Sequence, residues 1–306
     1  MRTFETDILY LGIFANADES ILQLQVPHFE IKKVGQDEVH SLVTALTEEP
    51  LQTLASKLYH SLPCFNHSSR SFFAISHKGR GEVSINHMGG LSGLDFLAEI
   101  HVVQTYVHRL IAHLRFLAEG DICIPLELFY FIDEDRPRLM SKAESFGPIQ
   151  HCAYKVTSKV LEELIPFDSK GLLPLNDRTL ALAWRYCDGS YRMIDKGMEF
   201  LMLMTGMEVL FNRGKDQITY TISRYTAVLL GQTPALSKEI FKRMKKLYGI
   251  RSDIVHEGDA VKADEATIRE LRGFLRDSIK ALLRLGLSKE DYCSKLDALG
   301  FGQPPA

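Results

Sequence analysis

The spacing of apolar positions changes part-way along this chain. Before about residue 150 the apolar residues come in short runs. Leu22-Gln23-Leu24-Gln25-Val26 and Gly81-Glu82-Val83-Ser84-Ile85 alternate with period two, and Ile124-Pro125-Leu126-Glu127-Leu128-Phe129-Tyr130-Phe131 is rich in strand formers. Successive side chains of a strand point to opposite faces, so these runs predict strands. Between them Leu94 to Ala118 carries apolar residues at helical spacing with no proline, which predicts a long amphipathic helix. Asp133 to Pro137 and Phe146-Gly147-Pro148 predict turns, and Tyr154 to Leu164 a short helix. Gly89-Gly90-Leu91-Ser92-Gly93 reads as a flexible turn, because it lacks the Lys-Ser/Thr ending of a phosphate loop. Pro166 to Asp177, with two prolines and a glycine, reads as a linker.

Beyond Asp177 the pattern becomes helical, with little strand signal. Asp177 is placed to cap a helix running towards Tyr191, with Asp188-Gly189-Ser190 a point of interruption. Ile194 to Asn212 is almost wholly apolar and predicts the central buried helix, ended by Asn212-Arg213-Gly214 in the usual glycine-assisted way. Further helices are predicted over Ile218–Leu230, stopped by Gly231, over Ser237–Val255, broken by Gly258, over Ala263–Leu285, and over Lys289–Leu299. Short connections between antiparallel helices make a bundle. The expected architecture is an α+β domain over residues 1–170 followed by an all-α helical bundle over 171–306.

With 306 residues the chain can bury a core large enough to need no staple. No run approaches the eighteen or so apolar residues that cross a bilayer, and Glu5 and Asp7 precede the first apolar run, so neither a membrane span nor a signal peptide is expected. Five scattered cysteines, never spaced as CxxC, fit reduced thiols in a cytoplasm better than disulfides or a zinc site. A net charge of −3 excludes the overall field of a general nucleic-acid binder, so any such binding must use a local patch. Lys238, Lys242, Arg243, Lys245 and Lys246 form one, with Glu239 nearly alone against them.

That patch precedes Arg251-Ser252-Asp253-Ile254-Val255-His256, which holds the only histidine of the helical half, since ten of the eleven lie at or before His151. Arginine with histidine suits phosphodiester chemistry. The guanidinium holds phosphate oxygens in a fork, and neutral imidazole takes or gives a proton near pH 7. With RNA no metal is needed: the 2′-hydroxyl attacks, His256 serves as base towards it or as acid towards the leaving 5′-oxygen, and Arg251 stabilises the phosphoryl charge. A five-residue separation puts two side chains about 140° apart on a continuous helix, so convergence on one ligand requires the helix to fray or end there. Asp253, three residues before His256, is spaced to orient its ring.

The run from Lys246 to Gly258, with Tyr248, Arg251-Ser252 and His256 in order, resembles the signature of the HEPN superfamily and is similar to its Apea-like branch. Gly206-Met207-Glu208-Val209-Leu210-Phe211 and the segment Ile218 to Leu230 agree with that branch. The resemblance covers roughly residues 177 to 286. It implies a cytoplasmic HEPN-type bundle that dimerises so that two Arg/His pairs meet in a composite cleft. It also implies cleavage of single-stranded RNA without metal or cofactor, often in prokaryotic defence or toxin systems. Arg251 and His256 would be catalytic, Ser252, Asp253, Glu208 and Tyr248 supporting, and Lys242, Arg243, Lys245 and Lys246 would track the RNA. The N-terminal domain would sense a trigger or partner. Two departures stand out: Ser252 follows the arginine where active members often carry Asn, Asp or His, and Glu257 replaces a common glycine. The alternative is a non-catalytic nucleic-acid- or nucleotide-binding or dimerisation scaffold of the same fold.

Three further features carry expectations. Glu199 and Glu208 lie nine residues apart on the apolar helix and point to opposite sides, so one of them needs a buried partner. The resemblance favours Glu208, paired with Arg251 or Arg224. His101 and His108 share one helix face two turns apart while His113 points elsewhere, which does not make a metal site. Met198, Met202, Met204 and Met207 read as core filler.

Overall fold

The computed structural model describes residues 2–35, 37–39, 71–85, 91–92, 94–134, 136–144, 154–164, 173, 175–214 and 217–305. The chain divides into two compact units, Met1–Leu173 and Pro174–Ala306. Phe146-Gly147-Pro148, Gly89-Gly90 and much of the linker reading fall outside the described residues.

The first unit is built on an antiparallel sheet of β1 (Arg2–Ala15), β2 (Glu30–Gly35), β3 (Ser71–Ile85), β4 (Leu91–Ser92), β5 (Cys123–Asp133) and β6 (Arg136–Glu144), with α1 (Leu94–Leu117) and α2 (Ser158–Leu164). The order across the sheet is β2-β3-β1-β5-β6, and β4 pairs with the end of β3. Central β1 sets Tyr10 opposite His77 of β3 and opposite Phe129 of β5. Its alternate residues serve two cores. Ile8, Tyr10 and Phe14 join Val107, Leu110 and Leu114 of α1, while Leu11 and Ile13 join Val34, Phe72, Leu126 and Leu128. Burial on both faces explains why β5 reads as a nearly continuous apolar run. Asp133–Pro137 does reverse the chain: Glu134, at φ 50°, turns β5 into β6, and Arg136 and Pro137 already belong to the strand.

The alternating run Leu22–Val26 is not a strand. Glu19–Gln23 winds as a 3₁₀ turn whose start is capped by Asp18, the carboxylate accepting from the Ser20 amide at 2.9 Å. Three residues per turn bring Ile21 and Leu24 to the same side, where both are buried, and leave Leu22 outside.

The second unit consists of α3 (Arg178–Ser190), α4 (Lys196–Phe211), α5 (Ile218–Leu230), α6 (Pro234–Glu257), α7 (Glu265–Leu285) and α8 (Lys289–Ala298). Asp177 caps α3 by accepting from the Leu180 amide at 2.7 Å, and the helix runs through Asp188-Gly189-Ser190 to its end. Asp195 caps α4 likewise, and Asp264 caps α7. The core forms where α4 (Phe200, Leu203, Met204, Met207, Leu210) meets the apolar stripe of α7 (Ile268, Leu271, Leu275, Ile279, Leu282). Gly206 permits this approach, since a Cβ there would lie 2.6 Å from Leu275 Cδ2. Of the four methionines, Met204 and Met207 are core, Met202 is half-buried and Met198 is exposed.

Two helix ends differ from expectation. Asn212 closes α4 in an extended conformation and its side chain accepts from the Gly214 amide at 3.0 Å, so an asparagine turn, rather than a left-handed glycine, ends the helix. α6 begins three residues before Ser237. Pro234 occupies the first turn, where its fixed φ is suitable and its missing N–H costs nothing, and Thr233 caps it. The chain then returns to this end of α6 after α8: the Gly302 amide donates to Ser237 Oγ at 3.0 Å, and the Phe301 ring lies 5.8 Å from that of Phe241. Among the described residues no helix is long and apolar enough to cross a membrane.

Candidate functional site at the end of α6

α6 buries Ile240, Met244, Leu247 and Ile250 against the bundle. At about 100° per residue, His256 falls about 180° from Leu247, on the solvent face, whereas Arg251 falls about 40° from it. His256 is accordingly exposed and Arg251 half-buried. The helix does not fray between them. It continues to Glu257 and is closed by Gly258 at φ 70°, with the Gly258 amide donating to Ile254 O and that of Asp259 to Asp253 O. Within one protomer Arg251 and His256 therefore stay about 140° apart and do not meet on one ligand.

Arg251 belongs to a three-residue cluster with α4. Its Nε lies 3.4 Å from Glu208 Oε1, the Tyr248 hydroxyl donates to the same oxygen at 3.1 Å, and the guanidinium carbon stands 5.7 Å from the centre of the Tyr248 ring. Burial raises the Tyr248 pKa and the Glu208 carboxylate raises it further, while Arg251 opposes both. Glu208 thus pairs with Arg251. Arg224, the other partner considered, instead donates to the carbonyls of Leu296, Asp297 and Leu299 and holds the end of α8.

The fully buried acid of α4 is Glu199, not Glu208. Glu199 and Arg272 of α7 are 2% and 3% exposed and form an ion pair. Arg272 Nε also donates to Ser190 Oγ at 3.2 Å, and its guanidinium carbon stands 4.1 Å from the centre of the Tyr191 ring. Arg272 was missed because it sits one residue off the α7 stripe and looks solvent-facing; the signal was an arginine directly after Leu271 facing an acid on an apolar helix.

Asp253 does not orient the His256 ring. The connection after Gly258 carries Lys262 back over the helix end, where its ammonium meets Asp253 at 2.9 Å and its pKa is raised by that bond. Ser252 is half-buried, about 40° from His256 on the helix. In the basic patch Lys242, Lys245 and Lys246 are exposed. Arg243 is committed elsewhere, its Nε donating to Glu270 Oε1 at 2.8 Å and its second nitrogen bonding Oε2, so its charge is matched within the bundle.

Lys238, Lys242, Lys245, Ser252 and His256 fall within about 40° of one line along α6. Beside Lys245 lies a feature the sequence reading did not find, a pocket of about 300 Å³ lined by Gln217, Thr219, Tyr220, Phe241 and Lys245. Its signal was an exposed tyrosine facing a phenylalanine one helix away.

In the first unit His108 Nε2 lies 3.2 Å from Glu127 Oε2, and the buried Tyr10 hydroxyl donates to Glu127 Oε1 at 2.9 Å. His101 is exposed and His113 buried. Among the described residues no group of three or more His, Cys, Asp or Glu is arranged to hold a metal ion.

No protein family, curated protein or solved structure matches this chain.

Proposed function

We propose that the helical unit is a HEPN-type endoribonuclease that cleaves single-stranded RNA without a metal, through a site shared between two protomers. The observation that carries this reading is the exposed His256 at the end of the lysine line on α6, with the half-exposed Arg251 round the same helix. Since the two lie about 140° apart on an unbroken helix, His256 of one protomer would work with Arg251 of the other. Val255, Val261, Ile194 and Met198 supply exposed apolar surface around that helix end; Gly197, next to Met198, packs against Ala260 and Ile254. A second copy of the chain covers such a patch in a two-fold dimer.

In this site the 2′-oxygen forms a bond to phosphorus as the bond to the 5′-oxygen breaks, leaving a 2′,3′-cyclic phosphate and a 5′-hydroxyl. His256 moves the proton and Arg251 faces the phosphoryl oxygens. Glu208 and Tyr248 set the position of the guanidinium. One observation favours a second reading, RNA binding without cleavage: Arg251 is already engaged by Glu208 at 3.4 Å.

The test is cleavage of labelled single-stranded RNAs in EDTA, with end analysis. Arg251→Ala and His256→Ala should each lose about 10²–10⁴-fold in rate while remaining folded. An equal mixture of the two variants should recover about a quarter of wild-type activity, because half of randomly paired dimers are mixed and each of those has one of its two sites intact. No cyclic-phosphate product from wild type, or equal rates in all three proteins, would move the assignment to the binding module.

A further inference from the structure

We infer that the pocket between α5 and α6 is a base-stacking subsite for single-stranded RNA, with Tyr220 as the stacking platform and Lys245 holding the adjoining phosphate. The inference deepens the RNA reading and rests on it. Tyr220 is 52% exposed although it belongs to a packed helix, and its ring meets Phe241 edge-on, with centroids 5.8 Å apart and planes at 75°. Phe241 is in turn braced by Phe301. This arrangement keeps Phe241 as a fixed wall and leaves a face of Tyr220 towards solvent. A solvent-facing aromatic beside a rigid one receives a flat π-system, and every base offers one.

Charge selects the occupant. Among the described residues, the one charged side chain lining the pocket is the ammonium of Lys245, and Lys238 and Lys242 continue from it along the same face of α6. Lys238 to Lys245 spans about 10 Å of helix axis, and Lys245 to His256 about 16 Å on the same line. An apolar peptide would leave these ammonium groups unmatched, and a mononucleotide would leave the more distant ones unused. A single strand places one base in the pocket, its phosphates along the lysines and a later linkage at His256. A duplex cannot enter in this way because its bases are stacked on each other. The pocket volume of about 300 Å³ lies at the small end of ligand sites, suited to one ring system rather than several.

Binding is measured apart from cleavage, on the full chain in EDTA, with the 2′-hydroxyls of the probe methylated so that none can attack. The probe is a fluorescein-labelled twelve-nucleotide single-stranded RNA, followed by anisotropy over a salt series. Tyr220→Ala should weaken binding about 10-fold, since stacking on an aromatic is worth roughly 1–3 kcal/mol per base. Tyr220→Phe should stay within about twofold of wild type. Lys245→Ala should also lower the slope of log K against log salt by about 0.7, the contribution of one released counterion on a single strand, whereas Tyr220→Ala should leave that slope unchanged. A Tyr220→Ala protein binding as tightly as wild type overturns the pocket and leaves the ribonuclease reading intact, as does equal affinity for a duplex of the same sequence. Tyr220-dependent binding without cleavage upholds the pocket and sinks the ribonuclease; absence of RNA binding by wild type sinks both.

Discussion

Replacing Glu199 by alanine should cost the helical unit about 3–5 kcal/mol, the loss that follows when one member of a buried ion pair is removed and its partner stays in the core uncompensated. The structure puts this case at the upper end of the range. Both side chains are at most 4% exposed, so Arg272 cannot reach water without opening the α4–α7 contact. Two further partners of Arg272, a 3.2 Å bond to Ser190 and the Tyr191 ring, carry no formal negative charge. For a unit of this size the loss corresponds to a fall in Tm of roughly 10–20 °C. The assay is urea unfolding followed by tryptophan fluorescence. The only tryptophan, Trp184, is buried in α3, so its signal reports the helical unit alone. The companion variant is Glu199→Leu with Arg272→Met, which removes both charges and keeps apolar volume. It should recover most of the stability, because a buried pair and a packed apolar substitute are often of similar worth. A loss below about 1 kcal/mol for Glu199→Ala, or a double variant as unstable as the single one, would refute the argument that the charge left unmatched is the cause.

Two glycines of the helical unit should respond to alanine with opposite sign. At Gly231 a Cβ would press on Ser237, 2.7 Å from its Cα, and displace a hydroxyl that donates to Gly231 O and accepts from the Gly302 amide; a loss of about 1–3 kcal/mol is expected by thermal denaturation. At Gly249, inside α6 with nothing within 4 Å, the same change should add about 0.5–1 kcal/mol through helix propensity. The thiol of Cys293 is fully buried, and burial pushes its pKa up from 9.0 to about 11 against the opposing pull of Arg213 and Lys289. A raised pKa means the folded state holds the proton more tightly. The stability this contributes is full below pH 9 and is lost as pH rises through about 11, so wild type should lose more stability in that window than Cys293→Ala. Peptide mapping after iodoacetamide at pH 8 should find Cys293 unmodified until urea is added.

Legibility in the sequence followed the range of the interactions. Helix starts set by one side chain over three residues, such as Asp177 on Leu180, could be read from the residues alone, as could the left-handed stop at Gly258. Alternation misled where a local cap competed with it: Asp18 starts a 3₁₀ turn over Glu19–Gln23 that takes in Leu22 and Gln23, and nothing in the period-two pattern carries that information. Partners that meet only after folding were the least visible. Arg243 with Glu270, Arg272 with Glu199 and Asp253 with Lys262 each join residues whose neighbours in sequence suggest solvent or another role. For Glu208 a resemblance suggested a partner but left Arg251 and Arg224 both open, and only the folded contact between α4 and α6 picks out Arg251. The 140° between Arg251 and His256 followed from the residue count; that α6 stays helical through both did not.

The return of residues 301 and 302 to the start of α6 has a bearing on synthesis. Ser237 has its Gly302 bond only after a further 65 positions have been added to the chain, and the Phe301 wall of Phe241 arrives just one residue before that. At translation rates of about 5–20 residues per second, α5 and α6 wait about 3–13 s in the company of the ribosome with this edge unfinished and Phe241 uncovered. A nascent chain paused in that interval presents a lysine-flanked aromatic edge that residues 301 and 302 have yet to close.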